Sequence, residues 1–133
     1  MRGAYIVAVN HSFRIPADFS QNPDNYPSLL EIYDNMGTAG ILSVMSVINS
    51  NVDYDDVTIL PASFESPYII RVTATDDKDE KINNAGYGVG SIDIGAPGYD
   101  IDFFASLPDI IFRDSILSIL KQLYYLLIQQ MVL

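Results

Sequence analysis

Few side chains here can carry acid–base or nucleophilic chemistry. His11 is the single histidine and cysteine is absent, which excludes a thiolate nucleophile, a Cys-based metal site and a disulfide framework. His11 lies within an apolar run, where a lone histidine is structural or solvent-facing more often than catalytic. Asp53, Asp55 and Asp56 are close enough to share a hard cation such as calcium. They do not open an EF-hand, because Thr58 and Phe64 stand where that loop needs Gly and Glu, so a solvated acidic turn is the plainer reading. Gly86, Gly88 and Gly90 alternate with Tyr87 and Val89 but do not lead from a strand into a helix, and they read as a turn rather than a phosphate loop. Asn49 ends an apolar run, a position at which asparagine caps a strand or seeds a turn.

The elements that must hold these residues follow from the apolar pattern. Residues 4–9 form an apolar run without alternation, predicting a central strand covered on both faces. Residues 14–25 are polar and contain Pro16 and Pro23, predicting a surface loop. Pro27 opens a helix with Leu29, Ile32, Tyr33 and Met36 on one face, stopped by Gly37 and Gly40. Residues 41–48 and 68–75 are two further buried strands, separated by an acidic, turn-rich stretch. Residues 76–81 are a charged surface turn, and residues 91–94 a short fourth strand ending at Gly95-Ala96-Pro97-Gly98. Strand, helix, strand and further strands predict an α/β fold with an open, mostly parallel sheet and flanking helices.

Three ordered segments resemble the subtilisin-like serine peptidases, the subtilase family. Val9-Asn10-His11-Ser12-Phe13 is similar to the strand which that family writes as apolar, Asn, any residue, Ser, apolar. Gly40-Ile41-Leu42-Ser43-Val44, continuing to Ile48-Asn49-Ser50, resembles the next strand, which ends in the oxyanion Asn. Leu60-Pro61-Ala62-Ser63-Phe64, then residues 69–76, Tyr87-Gly88 and Asp93-Ile94-Gly95-Ala96-Pro97-Gly98 resemble the run from a Pro-Ala-Ser turn through a buried strand to an Ala-Pro-Gly turn. The match covers about residues 4–101. Tyr33-Asp34, the 76–81 turn and Ala85-Gly86-Tyr87-Gly88 look most like the branch found in gliding and gut Bacteroidetes.

The resemblance implies peptide-bond hydrolysis by Ser, His and Asp, with donors for the oxyanion of the tetrahedral intermediate. It assigns the oxyanion donor to Asn49 and the strand that pairs with the peptide to Ser12, Phe13 and Arg14. One wall of the pocket for the residue before the cleaved bond falls to Ser46, Val47 and Ile48. Arg14 and Ile48 replace small residues of the family, which predicts a crowded, narrowed groove. The family's catalytic Asp and His would precede this stretch, and His11 occupies a position the family leaves variable. Ser115 stands about where the nucleophile belongs, but Arg113 and Asp114 replace the Gly and Thr of the family's Gly-Thr-Ser motif. Ser115 is therefore a positional candidate that also reads as an ordinary helix residue.

Two units follow: a partial peptidase domain over residues 1–109 and an apolar helix of uncertain origin over 110–133, where Leu117, Leu120, Leu123, Leu127 and Met131 share a face. Seventeen acidic against seven basic residues give a net charge of −10, which argues against nucleic acid and anionic lipid as partners. The opening apolar run lacks the small-residue cleavage site of a signal peptide, although the family is usually secreted. Arg113, Asp114 and Lys121 interrupt the only other long apolar stretch, which argues against a membrane span. The expectation is an incomplete serine endopeptidase whose partner is a peptide or protein substrate, inactive alone and prone to self-association through exposed sheet surface. The alternative is a non-catalytic peptide-binding module on the same fold, and a divergent hydrolase using His11 and Ser115 is a third reading.

Overall fold

A computed structural model describes residues 5–98. Ser115 and the expected helix over 110–133 lie outside the described residues. The chain folds in the order β1 (Ala8–His11), a 3-10 turn (Pro23–Asn25), α1 (Pro27–Thr38), β2 (Leu42–Ser46), β3 (Ile69–Thr75) and β4 (Ile94–Pro97). The strands form one four-stranded sheet in the order β1-β2-β3-β4, with all three pairings parallel, which is the expected α/β architecture.

The helix begins and ends as its sequence dictates. Pro27 occupies the first turn, where a missing N–H costs nothing. At the other end Gly40 adopts φ 85°, its N–H bonds the Gly37 carbonyl at 2.9 Å, and the Ile41 N–H reaches the Met36 carbonyl at 2.9 Å. This pair of bonds is a Schellman cap, and the left-handed conformation it requires suits glycine. Gly37 lies earlier, inside the helix, where a Cβ would run into the Tyr68 ring. The buried face differs from the expected one: Leu30 joins it, and neither Ile32 nor Met36 packs against the main core. Leu29, Leu30 and Tyr33 meet the core, while Ile32 is exposed. At 100° per residue Leu30 lies nearer than Ile32 to the line joining Tyr26 and Tyr33, and the helix rolls accordingly.

Two strands need correction. β1 starts at Ala8 because pairing with β2 begins at Leu42, and Tyr5, Ile6 and Val7 are exposed rather than covered on both faces. β4 is not residues 91–94 but Ile94–Pro97, so the segment read as an Ala-Pro-Gly turn is a strand end. Asp93 sets this start: its carboxylate accepts the Arg71 N–H at 2.7 Å and its own N–H donates to the Arg71 carbonyl at 3.1 Å. Pro97 is tolerated because β4 lies at the sheet edge.

Alternation along β2 and β3 builds two cores. Met45, Val47 and Ile69 face Tyr33 of α1 and join Tyr54, Leu60, Ala62 and Phe64, while Val44, Val72 and Ala96 pack together on the opposite face. The acidic, turn-rich stretch between β2 and β3 thus supplies much of the main core, with Leu60 and Phe64 fully buried. Its Leu60–Pro61 peptide is cis.

Arg71 ties this stretch to the sheet. Its Nε donates to the Ala62 carbonyl at 2.7 Å and an Nη to the Phe64 carbonyl at 2.8 Å, both in buried surroundings. Asp93 and Glu65 lie at 3.8 and 3.6 Å from the guanidinium. Glu65 is solvent-exposed and adds little, so the carbonyl bonds dominate. Arg71→Met leaves two buried carbonyls without donors and is expected to lower stability by about 2–4 kcal/mol in urea unfolding. Arg71→Lys, which keeps the charge but not the planar fork, should fall between the two, and a Met variant as stable as the parent would refute the role.

Candidate functional site

Parallel strands in an open α/β sheet place their carboxyl ends on one side, and the crevice outside those ends is where such sheets hold ligands. Here that crevice is a cavity of about 580 Å³. Ser12, Phe13 and Arg14, leaving β1, form one side of it. Ser46, Val47, Ile48 and Asn49, at the end of β2, form another. Val72, Thr73 and Ala74 of β3, on the far side of β2, extend it, and Leu60 and Ala62 also line it. The seven described residues that the sequence assigned to groove and oxyanion donor therefore share one concavity, and the cavity remains open with Ile48 and Arg14 in place.

Local bonds explain how each segment is held. The Asn10 amide donates to the Ser12 hydroxyl at 2.9 Å, which couples the last turn of β1 to the segment leaving it. The loop after Arg14 is gathered by Gln21, whose amide donates to the carbonyls of Ile15, Pro16 and Phe19 at 3.1–3.3 Å. The same side chain accepts the Leu60 N–H at 3.0 Å, and the Ile15 N–H donates to the Leu60 carbonyl at 2.7 Å. Leu60 thus fixes the spacing between the 12–14 segment and the opposite wall.

Asn49 is exposed and follows a clamped residue. The Ile48 N–H donates to the Tyr54 hydroxyl at 2.8 Å, and the Ile48 carbonyl accepts the Gly86 N–H at 3.0 Å. Gly86 is needed here because a Cβ would stand 2.8 Å from the Tyr54 ring. Thr73 donates its hydroxyl to the Gly86 carbonyl and anchors the glycine segment to β3. Tyr54 is buried, which raises its phenol above the ordinary range against the opposing effects of the Ile48 bond and the Arg14 charge.

His11 does not line the cavity. Its ring stacks edge-on against Tyr33 at 5.3 Å and Phe13 at 5.9 Å, and its Nε2 is buried without a partner among the described residues. Burial lowers its pKa from 6.5. The carboxylates of Asp53, Asp55 and Asp56 do not line the cavity either, although Tyr54 among them does. Asp55 accepts the Val89 N–H at 2.7 Å and the Gly90 N–H at 3.1 Å. The neighbouring Ser91 hydroxyl, then these amides, hold its carboxyl below the usual range. The Ser91 oxygen lacks sound hydrogen-bond geometry, so the amide bonds are the firmer cause. Asp55 thus serves as the cap of the 88–91 turn, and among the described residues no group of three acidic or histidine side chains is arranged to hold a metal. Nor is any described helix long and apolar enough to cross a membrane.

Tyr54, Gln21 and Arg71 were not legible as site-building residues. Gln21 reaches Leu60 from 39 residues away, while Tyr54 and Arg71 bond to backbone groups six to nine residues away that carry no sequence signal of their own.

No family model matches the sequence, and no curated protein matches it. Among solved structures the chain is similar to the epidermin leader peptide processing serine protease (EpiP) of Staphylococcus aureus, at 19% identity and a TM-score of 0.55 over 72% of this chain and 30% of that one. A serine-to-alanine mutant of the same protease aligns at 20% identity and a TM-score of 0.55, over 69% of this chain and 27% of that one. The likeness is one of fold: the parallel α/β sheet described above is shared with part of that protease. The chain spans less than a third of those proteins' length.

Two outcomes test this geometry. Tyr54→Phe strands the Ile48 N–H and should cost about 1–3 kcal/mol, with faster hydrogen exchange at the Ile48 amide; unchanged exchange would show that Tyr54 does not hold the strand end. For His11 the folded pKa lies below the unfolded one, so the unfolded chain binds more protons below about 6.5 and stability must fall as pH drops through that value. The thermal midpoint should be flat above that point and decline below it. His11→Phe should remove this decline while leaving the separate loss at lower pH, where Asp55 and Asp76, both held below 3.8, become protonated.

Proposed function

We propose that the chain carries the oxyanion-binding and substrate-groove portion of a subtilisin-like serine endopeptidase, and that alone it holds an extended peptide without hydrolysing it. What supports this reading is the convergence of Ser12–Arg14, Ser46–Ile48 and Asn49 on one cavity at the carboxyl ends of β1 and β2.

The chemistry follows from that arrangement. An extended peptide pairs with the exposed 12–14 backbone, which continues β1 at the sheet edge, so main-chain bonds supply affinity and the cavity receives a side chain. The carbonyl to be cleaved then lies beside Asn49. Its amide N–H donates to the oxygen as negative charge develops, and the clamp on Ile48 pre-positions the donor so that little reorganisation is needed. In subtilisin-like enzymes, loss of such an asparagine costs roughly a hundred- to thousandfold in turnover, a magnitude that belongs to the family and not to any measurement on Asn49.

Attack on that carbonyl also requires a serine and a histidine able to take its proton. The single histidine, His11, is packed between aromatic rings with its Nε2 buried, so it is not poised as that base. This favours a second reading, a peptide-binding module on the protease fold with no catalytic step. The two differ in their genetic setting: an incomplete peptidase predicts that neighbouring DNA, translated in all frames, encodes the Asp, Gly-x-His and Gly-Thr-Ser segments.

Incubation of the folded chain with a fluorophosphonate should give no covalent label, and extended peptides should bind without turnover. Labelling at Ser115 would overturn this and favour a hydrolase using Ser115. Phe13→Pro, which removes one edge donor and fixes φ, should weaken peptide binding by about tenfold while leaving the far-UV spectrum unchanged. Binding unaffected by that change would exclude the 12–14 edge.

A further inference from the structure

Among the described residues Arg14 is the only charged side chain lining the cavity, in a protein whose net charge is −10. It is exposed, and it makes no ion pair or side-chain hydrogen bond among those residues. No described Asp or Glu lines the cavity with it. Arg14 lies near enough to Tyr54 for its charge to act on the phenol. The Tyr54 oxygen already accepts the Ile48 N–H, so its own hydrogen remains to be donated, and no described residue takes it. Two donors, one of them a guanidinium, thus face the same space without an acceptor.

We propose that this cavity selects peptides bearing a carboxylate side chain, with Arg14 as the specificity-determining residue and the Tyr54 hydroxyl as a second donor. The inference rests on the peptide-groove reading above. A guanidinium presents parallel N–H groups that match both oxygens of a carboxylate, a geometry that neither an amide side chain nor a lysine reproduces. The surrounding protein repels anions in general, so a preference for an acidic peptide must originate locally. Among the described residues Arg14 makes no ion pair or side-chain hydrogen bond, and the Gln21 bonds that shape the loop do not involve it. The residue that crowds the groove thereby narrows what enters it.

The test compares labelled extended peptides identical except for Glu or Gln at one position, scanned along the peptide, binding to the full chain by fluorescence anisotropy. One position should favour Glu by about three- to tenfold, as expected for a solvent-accessible charge pair. Arg14→Gln should abolish the preference, Arg14→Lys should reduce it, and Arg14→Glu should reverse it towards a Lys-bearing peptide, with circular dichroism confirming the fold of each. Equal binding of Glu and Gln peptides at every position would overturn this inference and leave the peptide groove standing. A preference that survives in Arg14→Gln would overturn the role of Arg14. Failure of every peptide to bind would overturn the groove reading and this inference with it.

Discussion

The Arg71 guanidinium, buried beneath the 60–64 turn, is the interaction on which the site depends. A parallel sheet cannot connect its strands by tight hairpins, so each crossover carries many peptide groups past the core, and every buried one needs a partner. Between β2 and β3 no helix solves that problem. The chain instead folds inward through Leu60, Ala62 and Phe64, and Arg71 supplies from β3 the donors that the Ala62 and Phe64 carbonyls require. The cost of burying a cation is offset by those two bonds and by Asp93, which also starts β4. One side chain thereby fixes a wall of the cavity, the register of the last strand and the depth of the core.

From that wall the order spreads outward in both directions. Leu60 is bonded through its carbonyl to the Ile15 N–H and through its N–H to the Gln21 side chain, so both of its backbone groups tie the cavity wall to the loop that follows β1. On the other side Tyr54 and Gly86 hold Ile48 by its N–H and its carbonyl. Asn49 is exposed, while the residue before it is held at both backbone groups. An exposed side chain next to a fixed backbone is an arrangement that a preorganised binding site can use.

Much of this was legible in the sequence, for reasons that differ among elements. Pro27 and Gly40 act through local backbone rules, so α1 could be placed closely from the sequence alone. β2 and β3 have β-branched runs long enough to be read without knowing their partners. β1 and β4 are edge strands, and an apolar run does not reveal where pairing starts: Ala8 begins β1 only because Leu42 stands opposite, and Ile94 begins β4 because Asp93 bonds to Arg71. The resemblance singled out Ser12 and Asn49, which stand far apart in the sequence and both line the cavity. Gln21, Tyr54 and Arg71 left no such trace, because their partners are backbone carbonyls and amides, which every residue carries and no sequence pattern marks.

The position of His11 separates fold from chemistry in this protein. The Asn-x-Ser strand needs Asn10 and Ser12 on one face, and alternation then turns the residue between them to the other face, against α1. A histidine there is drawn into the aromatic stack with Tyr33 and Phe13, where burial favours its neutral form and removes its Nε2 from the groove. No small shift of the strand would reverse this, since a one-residue slip would also turn Ser12 away from the cavity it lines. The pleat of β1 therefore sends His11 towards Tyr33 of α1 while Ser12 next to it lines the cavity.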